Sequence, residues 1–118
     1  MRFLSGRRVL LVAGLALAGV IAVAPMRAWA TPDGLAVARN NACMGCHAVD
    51  RKLVGPSFQQ IAARYKGDPA AQGKLEKKVR DGGAGVWGAI PMPSHPGMSA
   101  VDIHTVVGWV LAGAPSSN

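Results

Sequence analysis

Five consecutive residues, Cys43-Met44-Gly45-Cys46-His47, constrain this chain more than any other feature. They hold its two cysteines, three positions apart, with a histidine directly after the second. On one helical turn that spacing sets both thiols on the same side, where they can add to the two vinyl groups of a haem. Cys-x-x-Cys-His is the attachment signature of c-type haem, and His47 is then placed to offer a ring nitrogen to the iron. One motif means one haem. Other uses of the cysteines fit less well. A structural disulfide is the default for exported cysteines, but it gives the histidine no role. A thioredoxin-like dithiol wants a βαβ pattern, which is not visible. A structural zinc site needs four ligands, which His95 and His104 would have to complete.

The N-terminus assigns the compartment. Arg2, Arg7 and Arg8 form a basic region, Val9 to Val23 is an apolar run, and Ala28-Trp29-Ala30 gives the small-x-small pattern of a secretory cleavage site. Residues 1–30 therefore read as a signal peptide, and cutting after Ala30 leaves 88 of the 118 residues as one domain, 31–118. A cut after Ala24 also fits the pattern but would leave Pro25 at the new N-terminus. An uncleaved anchor over Val9 to Met26 approaches the about 20 apolar residues that spanning needs, yet Pro25, the glycines and the cleavage pattern favour removal. The formal charge of +7 includes Arg2, Arg7, Arg8 and Arg27 from this segment. The remaining chain has nine basic and six acidic residues, near +3, so the charge gives nucleic-acid binding no support.

Low β-content is expected beyond residue 30, because no useful stretch alternates apolar with polar residues. Pro32 and Asp33 can start a helix through Leu35, Val37, Ala38 and Ala42 that runs into the cysteine motif. Ser57 can cap a short helix with Phe58, Ile61, Ala62 and Tyr65 on one face. Gly67-Asp68-Pro69 offers a break, a cap and a first-turn proline for a helix reaching about Asp81 and ending at Gly82-Gly83. Glycines and prolines exclude regular structure over residues 83–98. Ser99 to Asp102 resembles a capping box, and Val101, Val106, Trp109 and Val110 stripe the last helix, which Gly113 and Pro115 end. Four short helices with four aromatics (Phe58, Tyr65, Trp87, Trp109) have little to bury, and domains this small often need a cofactor.

An electron carrier needs both axial positions of its iron filled, whereas a catalyst or gas sensor keeps one open. Methionine opposite histidine fills the site and raises the reduction potential. Met44 lies between the cysteines and cannot reach the other face. Met98 abuts a helix and reads as a gap-filling apolar residue. Met92 stands between Pro91 and Pro93, whose fixed φ stiffens the segment and presents the sulfur in one direction. Met92 is thus the candidate sixth ligand, with His95 or His104 as alternatives. Otherwise His95 reads as an exposed loop residue and His104 as a solvent-side residue of the last helix.

These residues, with Leu53-Val54-Gly55-Pro56, Gly85-Val86-Trp87-Gly88-Ala89-Ile90-Pro91-Met92-Pro93 and Trp109-Val110-Leu111, resemble the small class I bacterial cytochromes c of the c-551 (c8) type. The match spans essentially all of residues 31–118, and the stretch around Met92 is far more specific than the haem motif. The resemblance implies an all-α, small cytochrome c fold: about four short helices around one covalent haem c, with a long Gly/Pro-rich loop carrying the axial methionine. It implies a periplasmic one-electron carrier, Fe(III)/Fe(II), monomeric and not an enzyme. Its partners would be a nitrite reductase, a terminal oxidase or a cytochrome bc1-type donor, with no small-molecule substrate. By position, it implies Cys43 and Cys46 as attachment points and His47 and Met92 as iron ligands. The Pro56 carbonyl would bond His47, and the Trp87 indole N–H would bond a propionate. Lys78 stands near the place where relatives often have arginine or histidine for a propionate, and it lacks the planar fork. His95 stands where relatives often have asparagine near the methionine sulfur; contact there would make the potential pH-dependent. Lys52, Lys74, Lys77 and Lys78 are expected to ring or flank the exposed haem edge and steer it toward acidic partners.

Overall fold

The computed structural model describes residues 33–116. The expected signal peptide and its cleavage after Ala30 lie outside the described residues. Four α-helices follow one another: α1 (Gly34–Asn40), α2 (Phe58–Arg64), α3 (Ala71–Asp81) and α4 (Ala100–Leu111), with a 3-10 turn at Cys43–Gly45. Among the described residues there is no strand, only the isolated pairs His47–Lys52 and Gly83–Met92. None of these helices is long and apolar enough to cross a membrane.

Local chemistry accounts for the helix starts. The Asp33 carboxylate accepts the Leu35 N–H at 3.1 Å to open α1. At α2, Ser57 Oγ accepts the Gln60 N–H at 3.0 Å while Gln60 Oε1 accepts the Ser57 N–H at 2.9 Å, a closed capping box. Ser99 Oγ accepts the Asp102 N–H at 3.0 Å to start α4.

The structure corrects the sequence reading at three places. The first helix does not run into the cysteine motif. It stops at Asn40, and Ala42 takes φ 59°, a left-handed conformation that breaks the helix and lets the motif begin a separate turn. Pro69 does not enter the third helix: Asp68 accepts the Ala70 N–H at 2.8 Å in a local turn, so the helix begins only at Ala71. On α4 the buried residues are Ile103, Val106, Val107 and Val110, an i, i+3, i+4, i+7 stripe. Val101 is 65% exposed and lies off that stripe.

The core joins Val37 and Ala38 of α1, Phe58 of α2, Leu75 of α3, the four buried residues of α4, and Ala114 beyond it. Each large aliphatic in it contributes about 1.5–3 kcal/mol relative to exposure. α4 packs against α1, α2 and α3 in turn, and those three do not pack on one another. The α1–α4 crossing is close enough to require glycine, since a Cβ on Gly34 would sit 2.0 Å from the Trp109 Cβ.

Candidate haem site

Because α4 alone joins the other helices, space remains between them. A cavity of about 710 Å³ opens among the 3-10 turn, α2, α3, α4 and the loop that follows α3. Cys43, Cys46, His47, Trp87 and Met92 all line it, with Leu53, Val54, Phe58, Ile61, Leu75, Val79 and Val107 among its apolar walls. The structure thus brings together residues 49 positions apart that the sequence singled out.

The 3-10 turn sets the motif. The Cys46 and His47 N–H groups both donate to the Cys43 carbonyl, at 3.2 and 3.0 Å, which folds the two cysteines and the histidine around one point. Neither cysteine is bonded to the other, so no disulfide claims them. Burial pushes the Cys43 thiol above its ordinary range, against a smaller opposing effect of a backbone hydrogen bond.

His47 is 8% exposed, and three neighbours fix its ring. Nδ1 lies 2.7 Å from the Pro56 carbonyl oxygen. A carbonyl only accepts, so Nδ1 carries the proton and Nε2 of the neutral ring keeps its lone pair free for a metal. Phe58 stacks on the imidazole, with ring centroids 5.3 Å apart and planes 21° from parallel, and Trp109 meets Phe58 edge-on at 5.1 Å. Gly55 closes the remaining side: a Cβ there would come 2.7 Å from Cε1 and 3.0 Å from Nδ1.

Met92 is held by backbone. Its N–H donates to the Gly83 carbonyl and its carbonyl accepts the Gly83 N–H, both at 3.0 Å. Gly82 permits that approach, since a Cβ there would lie 2.5 Å from the Met92 oxygen. A thioether, a neutral imidazole nitrogen and two thiols on an apolar cavity form a donor set that fits haem. Among the described residues no three His, Cys, Asp or Glu side chains form a metal-binding group, which leaves the zinc reading without support.

The chain matches the family model described as cytochrome c over residues 32–113. It belongs to the cytochrome c family. Cytochrome c-551 of Allochromatium vinosum is 44% identical over 77 residues, 65% of this chain and 82% of that protein. Cytochrome c-551 of Pseudomonas aeruginosa is 39% identical, over 72% of this chain and 80% of that protein. The crystal structure of Nitrosomonas europaea cytochrome c552 superposes with a TM-score of 0.63 at 39% identity, covering 65% of this chain and 95% of that one. This agrees with the class I c-551 type and the all-α cytochrome c fold. The cofactor of such a cytochrome is covalently bound haem c with its iron, and its work is electron transport.

For a cytochrome, several residues stand differently from their sequence reading. His95 is not an exposed loop residue: it is half-buried, and its Nδ1 is sealed from solvent with no hydrogen-bond partner in the protein. Its N–H is shared between the Val79 and Arg80 carbonyls at 3.1 and 3.2 Å, so it caps the end of α3 and turns inward. His104 is exposed on α4, as expected, and its Nδ1 lies 2.7 Å from Glu76 Oε1. Of the four lysines, Lys52 and Lys78 border the cavity. Lys74 and Lys77 are tied instead to Asp68 and Asp81 in exposed ion pairs. Sequence reasoning missed Gly55, Phe58 and Gly82 as the supports of His47 and Met92. Their signal was present only as a turn, a helix face and a helix stop.

Proposed function

We propose that this cytochrome is a periplasmic one-electron carrier whose haem is joined through thioethers to Cys43 and Cys46 and ligated by His47 and Met92. The observation that carries this reading is a single apolar cavity lined by both a fixed, Nδ1-protonated His47 and the thioether of Met92. Bound haem supplies a reversible one-electron change between Fe(III) and Fe(II). The Pro56 carbonyl orients His47 and raises the basicity of its Nε2. Phe58 and Gly55 leave the ring no freedom to turn. Met92, pinned through Gly83, offers a soft neutral donor that favours the reduced state. Trp87 and Lys78, both on the cavity wall, would hold the propionates, Trp87 through its indole N–H and Lys78 through its positive charge.

Residues 1–30 direct export and are removed after Ala30, leaving 31–118 as the working domain. The cytochrome acts as a monomer and is not an enzyme. It exchanges electrons with protein partners such as a nitrite reductase, a terminal oxidase or a cytochrome bc1-type donor, and Lys52 and Lys78 steer acidic surfaces toward the cavity mouth. Absorption spectroscopy tests the ligation. The far-red methionine-to-ferric-iron band should be present in the native protein and absent in Met92→Ala. Rapid carbon monoxide binding to the native ferrous protein would instead show an open site and a gas-binding or catalytic role. Mass spectrometry of the exported protein should give residues 31–118 plus one haem.

A further inference from the structure

The loop that carries Met92 is hydrogen-bonded at its base, through the Gly83–Met92 pair. Between the paired residues Gly83 and Met92 run residues 84–91, and the one backbone hydrogen bond within them is internal, from the Gly85 N–H to the Gly88 carbonyl at 2.8 Å. Gly85 and Gly88 both take positive φ, 105° and 119°, so the backbone of this turn has little stiffness of its own. Among the described residues no hydrogen bond ties residues 84–91 to any helix. One cation–π contact crosses to a helix. Arg64, the last residue of α2, places its guanidinium carbon 4.7 Å from the centre of the Trp87 ring. Arg64 has no carboxylate partner among the described residues, so the indole face is its one evident anchor.

We propose that Arg64 is a positioning residue for Met92: stacked on Trp87, it clamps segment 84–91 across the cavity from the end of α2. The inference rests on the reading of Met92 as an iron ligand and adds the device that keeps it in place. A cation stacked on an exposed indole shifts a local equilibrium by about two- to fivefold, so the clamp limits how often the loop lifts.

Two measurements on the intact haem protein test it. In native-state hydrogen exchange, the Gly85 and Met92 amides of Arg64→Ala should exchange about two- to fivefold faster, with the α4 amides of Val106 and Val107 unchanged. In titrations of the ferric protein with imidazole, which displaces a methionine ligand, apparent affinity should rise by the same factor. Arg64→Lys, which keeps the charge without the planar guanidinium, should fall between. In a Trp87→Leu background Arg64→Ala should change neither readout. Equal exchange and equal imidazole affinity in native and Arg64→Ala proteins would overturn the clamp, as would an undiminished effect in the Trp87→Leu background. A far-red band that survives Met92→Ala overturns the ligand reading and this inference with it. A band lost in Met92→Ala, with Arg64→Ala silent, overturns the clamp alone.

Discussion

Gly55 shows how much the site depends on single atoms. A methyl group there would press on Cε1 and Nδ1 of His47, and the ring cannot retreat because Phe58 stacks on it. Gly55→Ala should therefore destabilise the haem protein by about 1–3 kcal/mol, measured as a lower denaturant midpoint, with a shifted potential as the ring tilts. Glu76 is the residue where acid should be felt. Hydrogen bonds from Gln72 first, and His104 next, hold its carboxyl below the ordinary glutamate value. A lowered folded value means the contribution is complete above about pH 4.3, the unfolded value, and fades as pH falls through the folded one. Glu76→Gln should flatten that acid limb in a series of urea melts, by lowering stability near neutrality toward its low-pH value. The sequence made the reactive residues legible because their chemistry is written in their spacing. It did not show which neighbours immobilise them. Arg64 reads as an ordinary basic residue at a helix end, and its partner Trp87 lies 23 positions away. His95 was misread because a histidine amid prolines and glycines looks solvated, while the turn back onto α3 is a tertiary event.

At the level of elements, serine caps and the Gly82 stop of α3 were good guides, and the stop of α1 was hidden. Ser57 and Ser99 begin their helices because a hydroxyl can accept the free N–H groups of the first turn. Ala42 gave no sign of ending one, since alanine is the best helix former. Its left-handed φ of 59° costs about 1–2 kcal/mol for a residue with a Cβ. Ala42→Gly removes that strain, and the gain should outweigh the greater freedom of glycine in the unfolded chain. Thermal unfolding of Ala42→Gly should show a net stabilisation of about 0.5–1 kcal/mol. No gain would mean that the backbone relaxes at this position. The misplaced Val101 has a similar origin: several apolar residues on α4 allow more than one stripe, and only the packing of α1, α2 and α3 against it selects the one that includes Ile103 and Val107.

The whole molecule was legible as a class, four helices and one cofactor, but not as an arrangement. Nothing in the sequence says that α1, α2 and α3 would each meet α4 and leave a cavity of about 710 Å³ between them. That space is too large for side chains of this small domain to fill, so the protein's centre depends on what is attached at Cys43 and Cys46. The variant Cys43→Ala/Cys46→Ala should lose cooperative thermal unfolding and near-ultraviolet circular dichroism while keeping part of its helical signal. A sharp, native-like melt in that variant would show the cavity collapsing onto itself. The central place of α4 also bears on the order of events during folding. It follows α1, α2 and α3 along the chain, and among the described α-helices those three pack only on it. Until α4 docks on the exported chain the two thiols stay within reach, and its docking narrows the window for joining them to their cofactor.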